Sequence, residues 1–274
     1  MKRLLDYLRK KIIKKEKTLY KTKSFYDCST SSVNDEDKSA ILIGLNYPNS
    51  HYTLKGCIND VKNGQKFLIK KGYKCKLLQD KDITEKYNVL EALTELKNSK
   101  DKVVFFHYSG HGTQVRDNNG DESDGKDEAI YSKNGKIITD DEINFVLNEF
   151  KEDKTLFLIF DCCHSGTIAD LPYIATENNF KLEFVEKHVK AKMVCISGCK
   201  DPQTSADVTD KGVSYGALSA TLYDILRKTE RRKKEITWRQ LYIELLSEMK
   251  KKKYSQIPQL TASDPAIFDE KINF

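Results

Sequence analysis

Five short apolar runs, each followed by an amphipathic or polar stretch, constrain this chain more than any other feature. Ala40–Leu45, Lys74–Leu78, Val103–His107, Leu156–Asp161 and Met193–Ser197 are of strand length. Between them, Asp60–Lys71 sets Val61, Phe67 and Leu68 on one side, and Thr84–Lys97 does the same with Val89, Leu90, Leu93 and Leu96. Apolar residues at that spacing argue for helices packed by one face. Further helices are predicted over 140–150, opening on a Thr139…Glu142 capping-box pattern, and over Tyr215–Arg227 and Trp238–Lys250. Strands that alternate with helices of this length imply a parallel sheet covered on both faces.

Open parallel sheets gather their chemistry at the carboxyl ends of the strands. Two such ends are chemically loaded. Val103-Val104-Phe105-Phe106 leads into His107-Tyr108-Ser109-Gly110-His111-Gly112, and Leu156–Phe160 leads into Asp161-Cys162-Cys163-His164-Ser165-Gly166. A thiol becomes a strong nucleophile when a nearby base raises its thiolate fraction. His111 is the candidate base and Cys163 the candidate nucleophile. Gly110 and Gly112 allow a substrate backbone to approach, and Gly166 allows a turn. Backbone N–H groups near Cys163 and Gly112 are placed to stabilise an oxyanion.

Composition narrows the alternatives. With 39% hydrophobic and 32% charged residues over 274 positions, the chain has a soluble globular balance. No apolar run approaches the roughly 20 residues needed to span a bilayer. The net charge is +6, but residues 1–23 alone carry +8 and the remainder −2. A mildly acidic body argues against nucleic acid as the main partner. Residues 1–23 show Leu4, Leu5, Leu8, Ile12 and Ile13 opposite a basic face, which reads as a solvated arm, with a membrane-surface or regulatory role as the alternative. Residues 27–38 and 171–190 read as linkers. Seven cysteines, an odd number, with no secretory segment at the basic start, indicate free thiols in a reduced, cytoplasmic setting. Cys195 and Cys199 lack the spacing of a zinc ribbon. The acid-rich run Arg116–Glu128 suggests a hard cation, against the alternative of a solvated loop. Read as an EF-hand from Asp117 it fails, because Glu122 stands where the loop needs glycine.

The two loaded segments resemble the His-box and Cys-box of metacaspases, the caspase-like cysteine peptidases of non-animal lineages. Leu54–Asp60, Asp127–Tyr131, Ile138–Glu142, Ile196–Cys199, Gln203–Asp207 and Pro258–Thr261 extend the resemblance over about residues 40–265. It implies an α/β fold, a caspase-like three-layer α/β/α sandwich around a mostly parallel sheet of six or more strands. It also implies a basic arm and linker over 1–38 and a catalytic domain over 39–274. That domain divides into a large-subunit-like region to about 190 and a small-subunit-like region from about 191.

By the same resemblance His111 and Cys163 form the dyad, with Cys162 a packed thiol and His107 and His164 structural or peripheral. Asp60, Ser109 and Asp161, with Asp207 as a further member, match an acidic pocket for the Arg or Lys that precedes the cut; a buried cation of that kind needs a carboxylate partner. Asp161 read alone is equally a turn cap. Asp127, Asp140, Asp141 and Asp170 match a calcium site beside the cleft, although Asp140 and Asp141 could equally cap the helix they open. The expected activity is calcium-stimulated cleavage of protein or peptide substrates, with self-processing near Lys187, Lys190, Lys192 or Arg231–Lys234, by a monomer whose basic arm covers the cleft. The alternatives are a catalytically silent scaffold, a thiol redox or metal protein using Cys162, Cys163 and His164, and a calcium sensor.

Overall fold

The computed structural model describes residues 38–117, 125–163, 165–182, 189–198, 207–210 and 213–274. The basic arm, most of the acidic run, His164, Lys187 and Cys199 lie outside the described residues, as do the side chains of 207–215.

In chain order the elements are β1 (Lys38–Gly44), α1 (Cys57–Lys70), β2 (Lys74–Gln79), α2 (Lys86–Asn98), β3 (Val103–Ser109), β4 (Gly112–Arg116), β5 (Lys126–Tyr131), β6 (Ile137–Thr139), α3 (Asp140–Leu147), β7 (Thr155–Asp161), β8 (Tyr173–Ala175), β9 (Phe180–Leu182), β10 (Lys192–Ser197), β11 (Asp207–Asp210), β12 (Val213–Gly216), α4 (Ala217–Arg231), α5 (Trp238–Lys251) and β13 (Gln259–Ala262). One eight-stranded sheet runs β2-β1-β3-β7-β10-β13-β8-β9. Its first five strands are parallel and its last three join antiparallel.

Residue alternation along the strands sorts side chains onto two faces. Ile41, Ile43, Val104, Phe106, Leu156 and Leu158 meet Val89 and Leu93 of α2 and Ile143 of α3 in one core. Leu42, Phe105, Phe157 and Ile159 meet Phe67 of α1, Leu222 of α4 and Leu241 of α5 in the other. The central strands are therefore buried on both sides, which is why they read as unbroken apolar runs. Each such side chain contributes about 1.5–3 kcal/mol on burial. The result is the expected three-layer α/β/α sandwich.

Three differences from the sequence reading share one physical cause. The stretch 171–190 is not only a linker, because β8 and β9 form a hairpin that adds to the sheet beyond β13. A second sheet, β4-β5-β6, rises from the end of β3, and a ribbon of β11 and β12 precedes α4. All of these strands have six residues or fewer. Runs that short, with one face exposed or no long apolar stretch, are not separable from loops by periodicity. No helix among the described residues is long and apolar enough to cross a membrane.

Candidate active site

Strands β3 and β7 are neighbours, with Ser109 opposite Asp161 at their carboxyl ends. His111 and Cys163 each lie two residues beyond that pair, so register alone delivers both to one rim. The Gly110 N–H donates to the Asp161 carbonyl at 3.3 Å, holding the two exits together. Gly112 completes the approach. A Cβ on Gly112 would lie 2.0 Å from the Cys163 carbonyl oxygen and 3.1 Å from the Cys162 sulfur. The loops thus touch backbone to backbone, at a separation that only glycine permits. Cys162 is fully buried in the core beneath α2 and α3, whereas Cys163 is half-buried at the rim.

The His111 ring is held on three sides. Its Nε2 lies 2.6 Å from the Tyr52 carbonyl oxygen. A carbonyl only accepts, so Nε2 carries a hydrogen and, in the neutral ring, Nδ1 is the basic nitrogen. The rings of Tyr47 and Tyr52 flank the imidazole with centroids at 4.7 and 5.8 Å. Its backbone N–H donates to the Tyr47 hydroxyl at 3.0 Å. Beside it, the Tyr131 N–H donates to the His111 carbonyl while Gly112 stands opposite Ile130. That makes Gly112 a non-hydrogen-bonded pair of the antiparallel ladder, so its own N–H points away from β5.

A second cluster sits at the same end of the sheet. Asp60, on α1, is fully buried and accepts from the Ser109 hydroxyl at 2.9 Å and from the Gly216 N–H at 2.9 and 3.0 Å. Asp161, at the end of β7, accepts from the Ser219 N–H at 2.9 Å. Gly216 is the N-cap of α4 and Ser219 lies in its first turn, where the helix dipole favours negative charge. These neutral donors orient the carboxylates. Gly216 separates them: a Cβ there would lie 2.2 Å from Asp161 Oδ2 and 3.0 Å from Asp60 Oδ2. Asp60, Ser109 and Asp161 are therefore brought together. Asp207 pairs by its backbone with Gly216, and its side chain lies outside the described residues. His107 forms part of the floor. It is fully buried between the Ser219 hydroxyl and the Tyr223 hydroxyl, each at 3.1 Å, and burial pushes its pKa down to about 3.

The third cluster lies at the start of α3. Carboxylate oxygens of Asp140, Asp141 and Asp170 all come within 4.8 Å of one another. Asp170 reaches them from a left-handed backbone at φ 47, a conformation Asp tolerates better than most residues. Asn144 of α3 donates to the Ala169 carbonyl at 3.3 Å and ties that turn down. Asp127 lies outside this set of mutually close oxygens. Its neighbour Glu128 approaches instead, donating its N–H to Asp140 at 2.6 Å and accepting from Thr167 and Gln114. Burial, then the charges of Asp170 and Glu128, pushes the Asp140 pKa well above the usual carboxylate range. The cap of α3 is supplied by Thr139, whose hydroxyl accepts from the Glu142 N–H at 3.3 Å. Glu142 does not close the predicted box; its carboxylate pairs with Lys86 at 2.7 Å.

Metacaspase-1 of Mycosarcoma maydis is 32% identical to this chain over 85% of the chain and 72% of its own length. The chain belongs to the metacaspase family. The family model described as the metacaspase peptidase C14 domain matches residues 38–172. Metacaspase-1 of Cryptococcus neoformans is 34% identical over 83% of the chain, which spans 63% of that relative's length. A crystal structure of a Geobacter sulfurreducens protein superposes with a TM-score of 0.63 at 25% identity, covering 85% of this chain and 97% of that one. The Drosophila initiator caspase Dronc superposes with a TM-score of 0.53 at 11% identity over 92% of this chain and 91% of its own, a likeness of fold alone. Within this metacaspase, Tyr52, Tyr47, Gly216 and Ser219 were not legible as site residues. Tyr52 acts through a backbone carbonyl, which has no side-chain signature, and the others reach the site from distant elements.

Proposed function

We propose that this chain is a calcium-stimulated cysteine endopeptidase that cuts after Arg or Lys through Cys163 and His111. One observation carries the reading: Gly112 brings the backbones of the histidine and cysteine loops into contact while Tyr52 engages Nε2, which leaves Nδ1 as the proton acceptor. In this mechanism the Cys163 thiol passes its proton to His111 Nδ1, and the thiolate attacks the scissile carbonyl carbon. The developing oxyanion is received by the outward-facing Gly112 N–H and the backbone beside Cys163. His111 then protonates the departing amine, and water, deprotonated by His111, releases the acyl group from sulfur.

Asp60 and Asp161 supply specificity. Two buried carboxylates oriented by neutral donors favour a guanidinium or ammonium and repel an acidic side chain. Asp140, Asp141 and Asp170 are hard oxygen donors, and the crowding that raises the Asp140 pKa fits a divalent cation in their midst. When bound, calcium supplies the charge that offsets their repulsion and orders the turn ending at Asp170. Lys190 is exposed and suits self-processing, as does Arg231–Lys234 at the end of α4. Lys192 suits it less, because it opens β10 and its N–H bonds the Lys154 carbonyl. A monomer is favoured by the β8–β9 hairpin, which occupies the outer edge of β13.

The test is hydrolysis of fluorogenic Arg, Lys and Asp peptides by the intact chain, with calcium or chelator, alongside Cys163→Ala and Asp170→Asn. Cleavage after Arg and Lys that is lost in Cys163→Ala and loses its calcium response in Asp170→Asn supports the proposal. Asp preference, or cleavage that survives Cys163→Ala, refutes it. A silent scaffold would show no cleavage and no labelling of Cys163 by an Arg-containing electrophile.

A further inference from the structure

Tyr47 and Tyr108 form a buried phenol pair directly behind His111. Both rings are fully buried, and their hydroxyl oxygens lie 2.9 Å apart. The Tyr47 oxygen is 3.0 Å from the His111 nitrogen and 3.2 Å from the Tyr131 carbonyl. The Tyr108 oxygen is 3.0 Å from the His111 carbonyl and 2.8 Å from the Tyr131 carbonyl. Each phenol has one hydrogen to give. One assignment uses every donor along its shortest path: His111 N–H to Tyr47, Tyr47 O–H to Tyr108, Tyr108 O–H to the Tyr131 carbonyl. The chain runs in one direction, and each bond polarises the next. Burial raises the pKa of both phenols, so the hydrogens stay in place across the working pH range.

The local backbone is shaped for this contact. Tyr47 adopts a left-handed conformation at φ 50, which a bulky residue rarely takes. It is held there by its N–H to Asp80 at 2.8 Å and by Ser50 and Thr53 hydroxyls on its carbonyl at 2.7 and 3.1 Å. Gly110 leaves the necessary room: a Cβ there would lie 2.5 Å from the Tyr108 oxygen and 2.9 Å from the Tyr47 oxygen. Packing alone asks for two rings and would accept phenylalanine. The Tyr47 hydroxyl has a separate destination, the backbone N–H of the residue that carries the imidazole, and the Tyr108 hydroxyl holds that of Tyr47.

We propose that Tyr47 and Tyr108 are positioning residues that hold the His111 backbone, and so the imidazole, in line with Cys163. The inference rests on His111 being the proton acceptor. Tyr47 acts on both the main chain and the ring face of His111, and Tyr108 locks Tyr47.

Tyr47→Phe and Tyr108→Phe keep the rings and remove the hydroxyls. Tyr242→Phe is the control; it loses a buried phenol bond to the Pro258 carbonyl in the opposite layer. Displacing a catalytic group by a fraction of an ångström to 1 Å lowers turnover by about 10- to 100-fold. Accordingly, kcat should fall by that factor in both site variants with KM within about twofold, and remain unchanged in Tyr242→Phe. The pH midpoint for iodoacetamide alkylation of Cys163 should move upward in the site variants only. Unchanged kcat and alkylation profile, with thermal stability lowered as in the control, overturns the proposal. Should one variant fail to fold, the other carries the same two readouts. Failure of the dyad reading is distinct, because it appears in His111→Ala retaining full activity.

Discussion

Gly112→Ala isolates the contact on which the site depends. No real Cβ approaches another atom closer than 3.0 Å, yet the new methyl would meet the Cys163 carbonyl oxygen at 2.0 Å. The histidine and cysteine loops must therefore part by about 1 Å, because the atom met is backbone rather than a flexible side-chain tip. A 1 Å displacement between reacting groups lowers the rate by about 100-fold, equivalent to about 2.7 kcal/mol of lost transition-state stabilisation. The overpacking itself costs about 1–3 kcal/mol of folding stability. For a domain of this size that is a melting-point fall of about 2–12 °C. The loss in kcat/KM on an Arg peptide should be matched by slower alkylation of Cys163, because the separation reaches the thiol before any substrate binds. A folded Gly112→Ala enzyme with kcat/KM within about threefold of wild type would show that the two backbones are not in catalytic contact.

Other perturbations separate the remaining roles. Cys163→Ala should abolish peptide cleavage, whereas Cys162→Ala should retain it and lose about 1 kcal/mol of stability from the small cavity beneath the loop, read by denaturant unfolding; the reverse pattern would exchange the two thiols. Asp60→Asn and Asp161→Asn each leave a cationic side chain short of one charge partner, and should raise KM for Arg and Lys peptides by about 10-fold or more, with a smaller effect on kcat; equal losses on neutral peptides would point to general misfolding. His107 titrates near 3 in the fold and near 6.5 when unfolded, so its neutral form contributes fully above about 6.5 and that contribution is lost as pH falls toward 3, by up to about 5 kcal/mol. Thermal unfolding should therefore show a stability decline over that window that is smaller in His107→Gln, and an identical decline in both proteins would remove His107 from the account.

Long apolar strands and amphipathic helices were legible because burial on both sheet faces writes itself into every residue of a run. The β4–β6 sheet, the β8–β9 hairpin and β13 were not, and none of their strands holds more than three consecutive apolar residues. The same division holds among the functional groups. His111 and Cys163 stand out by residue type at two strand ends, whereas Asp60, Asp161, Asp140, Asp141 and Asp170 were singled out only through the resemblance to a family. Asp127 entered with them by the same resemblance, and the mutually close carboxylate oxygens are those of Asp140, Asp141 and Asp170.

The order of strands and helices, the two chemically loaded loops and the excess of acid near them follow from the amino-acid sequence, because each is a local matter of periodicity and residue type. What only the tertiary structure decided is which atoms face one another. The Tyr52 carbonyl on Nε2, the phenol chain behind His111 and the Gly216 and Ser219 amides on Asp60 and Asp161 join residues separated by about 60 to 160 positions. Hydrogen bonds of that kind depend on ångström-scale register between elements, and register is set by how the sheet and its helices pack together.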